Sequence, residues 1–197
     1  MKIKNLALIS CVICMVACSC KRAGTSKVAE QQVYEKISPD FDADSAYSYV
    51  DKQVAFGPRV PNTAEHKACA DYLIAELKRF GADVQVQKAV LTAFDGTKLN
   101  AQNIIGSFGL EKKNRILLFA HWDTRPFSDH DSNPDNYHKP ILGANDAASG
   151  VGVLLEVARV LQGKAPEVGV DIIFFDAEDY GTPSFMENPP EGEWWCL

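Results

Sequence analysis

The fold is decided by the stretch GANDAASGVGVLLEVARVLQ, residues 143–162, and by the apolar runs on either side of it. Five apolar side chains in this stretch recur at the spacing of one helical face: Val151, Leu154, Leu155, Ala158 and Leu161. This periodicity predicts a helix from Asp146 to Gln162. The flanking runs, at 116–120 and 168–175, are apolar enough for strands that are covered on both faces. A strand, a helix and a second strand in this order indicate a parallel pair joined by a crossover.

The segment before this unit predicts two further helices and a hairpin. Asp44 or Ser45 caps the first helix, and Asn62 or Thr63 caps a second one that continues to Gly81. Alternating valines then predict a half-buried strand, and an Asp-Gly turn leads into its antiparallel partner. The predicted fold class is therefore α/β, with a mixed, mostly parallel central sheet flanked by helices.

The composition is that of an ordinary globular domain. Of the 197 residues, 46% are hydrophobic and 23% are charged, which argues against disorder. The length allows one domain with a single core. The net charge is −6, and no local cluster of lysine and arginine offsets it, so the sequence disfavours nucleic acid as a partner.

Residues 1–18 predict an export signal. Two lysines precede LALISCVICMVAC, an apolar run that is short for a bilayer span. The run ends at Cys18 in a pattern similar to a bacterial lipobox, in which the cysteine is lipidated; Cys20 is a second candidate, and an ordinary cleaved signal peptide is the alternative. Residues 19–40 are polar and predict a tether. We therefore expect a domain over residues 41–197 that is exported and held at the bacterial cell envelope by a lipid anchor, on the periplasmic side or at the surface.

Cysteine usage agrees with this division of the chain. Four of the six cysteines lie in the leader, so only Cys69 and Cys196 can belong to the folded part. This excludes a scaffold built on disulfides. Export makes a bridge between the two chemically possible, but Cys69 lies in a predicted helix, so we expect it to pack as a small hydrophobic residue.

Acidic residues and one histidine stand where the predicted strands end. His121 follows the first apolar run directly, with Asp123 two residues later, and Glu178 and Asp179 follow the second run. Asp146 lies at the start of the helix between them. Ligands bind outside the carboxyl ends of the strands in open α/β sheets, and zinc takes histidine nitrogen and carboxylate oxygen. The pattern predicts a zinc site in which Asp123 orients the ring of His121.

Each of these residues alone also has an ordinary structural explanation. His121 could be a hydrogen-bonded histidine at a sheet edge, Asp146 a helix cap, and Glu178 and Asp179 solvated loop acids. Gly143 and the small residues around Asp146 favour a site, because they let the backbone approach another group closely. Adjacent carboxylates also permit a division of roles, in which one holds a metal and the other transfers a proton.

Five stretches of the chain are similar to those of one enzyme family: VAFGPRVPNTAEHKACADYLIAELKRFGADVQVQ (54–87), AHWDTRP (120–126), GANDAASGVGVLLEVAR (143–159), FFDAEDYG (174–181) and EWWCL (193–197). They resemble the zinc metallopeptidase family M28, and within it the bacterial glutaminyl-peptide cyclotransferase, or glutaminyl cyclase, branch. The resemblance covers the chain from about Val54 onward. It implies a fold like that of the zinc aminopeptidases.

The resemblance also implies roles for individual residues. Asp146 and Asp179 would be zinc ligands, and Glu178 would be the general acid and base. His121 would bind a second metal in the aminopeptidases with two zinc ions and would lack that duty in the cyclases with one. The family's later acidic residue and histidine ligand have no counterpart here. Because residues 182–197 also show no periodicity, we expect a chain that is truncated at its C-terminal end, with a frayed natural terminus as the alternative.

The activity implied by the resemblance is a zinc-dependent cyclisation. The substrates would be peptides with an N-terminal glutamine, which becomes pyroglutamate as ammonia is released. An M28 zinc aminopeptidase is the first alternative, and an inactive truncated lipoprotein is the second. The sequence does not indicate an oligomeric state.

Overall fold

The computed structural model describes residues 36–187, and all of their helices and strands lie in a compact unit that begins at Ser38. The predicted signal peptide with Cys18, most of the tether, and the stretch EWWCL with Cys196 lie outside the described residues. Among the helices that are described, none has both the length and the apolar character needed to cross a membrane.

The described part contains three α-helices and four strands. They are α1 (Ala43–Val54), α2 (Ala64–Arg79), β1 (Asp83–Thr92), β2 (Lys98–Phe108), β3 (Arg115–His121), α3 (Gly150–Gly163) and β4 (Gly169–Phe175). A 3-10 turn at Pro134–Asn136 lies in the long loop after β3, and a π-helical turn at Ala144–Ser149 leads into α3.

The four strands form one mixed sheet in the order β1-β2-β4-β3. The hairpin strands β1 and β2 pair antiparallel, as predicted, and β2 also pairs antiparallel with β4. β3 and β4 pair in parallel, with His121 opposite Phe175. The predicted α/β class and the mixed sheet are confirmed. In residues 36–187 the parallel part is confined to β3 and β4, because β2 enters next to β4 in the opposite direction.

The core lies between the sheet and its helices. Leu73 and Leu77 of α2, Leu155 of α3 and Ile172 of β4 are fully buried in one cluster. Cys69 is also fully buried there, which confirms its predicted packing as a small hydrophobic residue. The core therefore fixes α2 and α3 against β4 and sets the positions at which the neighbouring loops begin.

The strand β3 departs from the sequence prediction. Leu118 and Ala120 pack against the core, but Leu117 and Phe119, on the other face, are 52% and 64% exposed. The expectation that this run is covered on both faces is wrong for the described residues. β3 lies at the edge of the sheet, and only the face with Leu118 and Ala120 meets the core.

The helix caps were predicted with mixed success. Thr63 caps α2 by accepting a hydrogen bond from the backbone N–H of His66, as one of the two predicted candidates. The cap of α1 is Asp42 rather than Asp44 or Ser45. The side chain of Asp42 accepts the backbone N–H groups of both of those residues, so they are the first residues inside the helical turn instead of its cap.

Candidate metal centre

The parallel pairing of β3 and β4 brings the predicted site residues to one edge of the sheet. His121 is the last residue of β3, and the N–H of Trp122 still donates to the carbonyl of Phe175 at 3.0 Å. Asp176 follows Phe175, the last residue of β4, and its side chain accepts the N–H of Ala177 at 2.7 Å. Ala177 has φ +62°, so the chain turns sharply there. This turn presents the next two residues, the predicted acid pair, beside the end of β3.

His121 lies between three carboxylates. Its Nε2 is 2.7 Å from an oxygen of Asp146. Its Nδ1 is 3.4 Å from Asp123 and 3.8 Å from Glu178. Burial alone would lower the pKa of His121, but Asp123, followed by Glu178 and Asp146, raises it to about 9. His121 therefore lies in an acidic cluster that favours its protonated form when no metal is bound.

Asp123 binds the backbone of the acid pair. It is fully buried, and its two oxygens accept the N–H groups of Glu178 at 3.3 Å and Asp179 at 3.1 Å. Its 3.4 Å distance to His121 Nδ1 exceeds that of a well-formed hydrogen bond, so Asp123 acts on the ring mainly through its charge. The orienting of the His121 ring by Asp123 stays a prediction, whereas the turn after β4 is fixed by Asp123 through both N–H groups.

Asp146 lies in a turn that depends on glycine. Gly143 has φ +58°, and a Cβ at that position would collide with the carbonyl oxygen of Asp146 and with the side chain of Thr124. The peptide bond between Asp146 and Ala147 is cis. The backbone of Asp146 is not helical, and α3 begins only at Gly150, so the alternative that Asp146 caps the helix is wrong. Its exposed side chain extends to His121 instead.

The two adjacent acids differ in environment. The side chain of Asp179 is largely buried, and its Oδ2 has no hydrogen-bond partner among the described residues. Burial, with the charges of Asp146 and Asp123, raises the pKa of Asp179 to about 7. Glu178 is 60% exposed at its side chain. The sequence predicts a division of roles between these acids, and their surroundings are unequal in the way that such a division requires.

These donors match zinc chemically. An unpaired, buried carboxylate oxygen is costly, and a cation beside Asp146 and Asp179 would satisfy it. Imidazole nitrogen and carboxylate oxygen are the ligands that zinc takes in proteins. Within residues 36–187, however, no three histidine, cysteine, aspartate or glutamate side chains are grouped so as to hold a metal ion. The described residues therefore fit part of a zinc site, and the metal-binding and acid–base roles stay predictions.

Two arginines near the site were not identified from the sequence. Arg125 donates to both oxygens of Asp129, at 2.7 and 2.8 Å, and to the carbonyls of Asp179 and Thr182. It therefore fixes the loop that follows the acid pair, and its spacing of four residues from Asp129 was the available signal. Arg59 is fully buried and donates only to backbone carbonyls. Sequence pattern offered no signal for it.

A buried pair lies below the acid turn. His66 Nε2 is 2.9 Å from each oxygen of Asp176, and the His66 ring stacks on Trp122 with a centroid distance of 4.3 Å. Asp176 also accepts the N–H of Gln102 at 2.7 Å. No pattern in the sequence indicated this pairing. Asp176 lies three positions before Asp179 in the chain, so the contact with His66 supports the turn that carries the acid pair.

The chain is similar to known proteins in sequence and fold. Residues 103–191 match the family model described as Peptidase family M28. A Zn-dependent exopeptidase from Parabacteroides distasonis is 65% identical, with a TM-score of 0.78, over 81% of this chain and 54% of that one. The glutaminyl cyclase of Tannerella forsythia is 62% identical, also with a TM-score of 0.78, over 81% of this chain and 54% of that one. The glutaminyl-peptide cyclotransferase of Drosophila melanogaster is 28% identical over 127 residues, which are 62% of this chain and 33% of that protein.

The predicted family resemblance is confirmed by these matches. The chain spans about half the length of the two solved structures and about a third of the Drosophila protein. Together with the mixed sheet and the acidic cluster at its strand ends, the similarities show that the chain carries a peptidase family M28 domain.

Proposed function

We propose that the protein is a zinc-dependent glutaminyl-peptide cyclotransferase. The observation that carries the proposal is the contrast within the acid pair. The carboxylate of Glu178 is exposed, whereas Asp179 has a buried oxygen, Oδ2, without a hydrogen-bond partner among the described residues. The 62% identity to the Tannerella forsythia cyclase over 81% of this chain supports this activity.

The proposed substrate is a peptide with a free N-terminal glutamine. Asp146 and Asp179 would hold zinc, with a third ligand supplied from outside residues 36–187. The metal, when bound, would polarise the carbonyl of the substrate γ-amide. The α-amine attacks the γ-carbonyl carbon, the bond from that carbon to the amide nitrogen breaks, and ammonia leaves. The product is an N-terminal pyroglutamate.

Glu178 moves the protons in this scheme. Its carboxylate takes a proton from the attacking amine and delivers one to the departing nitrogen, so that ammonia rather than an amide anion leaves. The exposed side chain can reach a bound peptide. Asp123 fixes the backbone on both sides of this carboxylate by accepting the N–H groups of Glu178 and Asp179. The backbone of Glu178 is thereby held in place by bonds that do not involve its carboxylate oxygens.

A zinc aminopeptidase is the second candidate. The 65% identity to the Zn-dependent exopeptidase favours it, as does the 2.7 Å contact between His121 and Asp146, since a histidine and a carboxylate this close could share a second metal. In that reaction Glu178 would take the proton of an attacking water molecule instead of an amine. An inactive lipoprotein remains the third candidate, because the described residues contain no complete metal group.

The products distinguish the three candidates. The full-length protein, loaded with zinc, is incubated with a glutamine-initiated peptide and with the same peptide acetylated at its N-terminus. A cyclase releases ammonia from the free peptide, liberates no amino acid and leaves the acetylated peptide unchanged, because the nucleophile is blocked. Free glutamine in the supernatant would establish the aminopeptidase. No product from either peptide, with no tight zinc, would establish the inactive protein.

A further inference from the structure

We infer that Arg59 is a positioning residue that fixes the segment from His121 to Asp123 and the turn of Asp146 relative to each other, and that it thereby sets the affinity of the site for zinc. The inference rests on the zinc site of the proposed function but not on the reaction. It concerns a side chain that would touch neither metal nor substrate. Its evidence is a set of hydrogen bonds in the interior.

The side chain of Arg59 joins two loops through three backbone carbonyls. Nε donates to the carbonyl of Trp122 at 3.2 Å, Nη1 to that of Leu142 at 2.7 Å, and Nη2 to that of Gly143 at 2.8 Å. Trp122 lies between His121 and Asp123, and Asp123 holds the turn of the proposed ligand Asp179 by accepting the N–H groups of Glu178 and Asp179. Gly143 stands three residues before the other proposed ligand, Asp146. The planar guanidinium therefore holds the end of β3 at a fixed distance from the start of the Asp146 turn.

The same contacts continue into the turn itself. The carbonyl of Gly143, which accepts from Arg59, also accepts the N–H of Ala148 at 3.1 Å and so closes the turn around Asp146. The backbone carbonyl of Arg59 accepts the N–H of Thr124 at 3.2 Å, which adds a second connection to the segment after β3. A shift of the guanidinium would move both segments, because each is bonded to it directly.

The burial of Arg59 shows that these bonds are not incidental. The residue is fully buried, and burial lowers the pKa of its guanidinium. A buried charge is costly unless its donors are satisfied. Arginine presents five N–H donors in a rigid fork, whereas lysine presents a compact ammonium on a flexible stem. Lysine at position 59 would keep the charge, but it could not hold the three carbonyls in the same plane.

Arg115 provides a matched control. It also donates to backbone carbonyls, those of Gly109 and Phe108, but it lies at the first position of β3 and pairs with Asp171 at 2.7 and 2.8 Å. The length of β3 separates it from His121 by about 20 Å. Arg115→Lys retains the ion pair and loses carbonyl contacts far from the site. It therefore reports what the loss of such contacts does to stability alone.

The test compares zinc affinity with stability in the full chain. Arg59→Lys and Arg115→Lys are purified, their thermal midpoints are measured, and zinc affinity is determined by competition with a chromogenic chelator. Cobalt is substituted for zinc, and its visible absorption reports the ligand geometry. We expect Arg59→Lys to weaken zinc binding about 10-fold or more, as the loss of groups that orient ligands does, and to alter the cobalt spectrum. Arg115→Lys should change neither.

Three results would overturn the inference. The first is wild-type zinc affinity and an unchanged cobalt spectrum in a folded Arg59→Lys protein. The second is an equal loss of affinity in Arg115→Lys, which would make the effect one of general stability. Arg59→Gln removes the buried charge and keeps two donors, so it replaces the lysine variant if that protein does not fold. The third result is that neither Arg59 variant folds while Arg115→Lys does, which would show that Arg59 is needed for folding itself. A wild-type protein without zinc binding would contradict the proposed function as well, which separates the two failures.

Discussion

At the scale of single residues, the site contains two adjacent acids, Glu178 and Asp179, whose side chains differ in burial. Glu178 and Asp179 are adjacent in the chain and bound through their N–H groups to the same carboxylate, that of Asp123. Burial and the nearby charges raise the pKa of Asp179, whereas Glu178 keeps an exposed side chain. These environments favour the proposed roles, in which the buried acid binds a cation and the exposed acid transfers a proton.

This assignment makes a prediction for Glu178→Gln. Glutamine has the size of glutamate but cannot accept the proton of the attacking group, so turnover of a glutamine-initiated peptide should fall about 10²- to 10⁴-fold. Zinc content, measured by atomic absorption, should stay at the wild-type level because Glu178 is not one of the proposed ligands. Asp179→Asn is the matched variant, which we expect to lose zinc. Loss of zinc from Glu178→Gln would show that Glu178 is a ligand.

Sequence pattern could place the acids but not their supports. His121, Glu178 and Asp179 were predictable because apolar runs fix where β3 and β4 end, and parallel strands end at the same edge. Arg59 could not be placed in the same way, since three of its acceptors lie 63 to 84 residues away in the chain. His66 likewise pairs with Asp176, 110 residues away. Such contacts follow from the packed fold and leave no local periodicity.

At the scale of elements, helix interiors were predictable and helix starts were less so. The apolar spacing of 143–162 reports one buried face, and α3 buries Val151, Leu155 and Ala158 as that spacing requires. Its start is later than predicted, at Gly150, because the Asp146 turn takes a non-helical backbone to reach His121. Where a helix begins depends on individual hydrogen bonds, and here the non-helical backbone that brings Asp146 to His121 excludes helical bonds at that position.

The cap of α2 gives a prediction at this scale. The hydroxyl of Thr63 accepts the N–H of His66 at 3.2 Å and donates to the carbonyl of Val60 at 2.7 Å. Thr63→Ala removes both bonds, so the free energy of unfolding should fall by about 1 kcal/mol, as for other helix caps. Urea denaturation followed by circular dichroism measures this change. Thr63→Ser keeps the hydroxyl and should stay close to wild type; an equal fall in both variants would assign the loss to the methyl group instead.

At the scale of the whole molecule, the two edges of the sheet differ in chemistry. The order β1-β2-β4-β3 leaves β1 and β3 at the edges of the described sheet. Along β3, Ile116, Leu117 and Phe119 are exposed, whereas β1 exposes one large apolar side chain, that of Val90. An exposed apolar edge strand offers both unpaired backbone groups and hydrophobic surface to another chain. The apolar run of β3 therefore leaves hydrophobic side chains exposed in the described unit.

This surface predicts that a polypeptide of these 197 residues associates with itself, and that Phe119→Lys weakens the association. Phe119 is 64% exposed on β3. A lysine there would place a charge on this edge strand, and natural sheets use such charges to prevent pairing between edges. Sedimentation velocity over a range of concentrations measures the effect, with circular dichroism to verify folding. Val90→Lys makes the same change of charge on the opposite edge, where the side chain is 66% exposed. It changes the net charge by the same amount but should leave association unchanged, because β1 lacks the exposed apolar run of β3. A wild-type polypeptide that stays monomeric at every concentration, or equal effects of the two lysines, would show that β3 is not the contact surface.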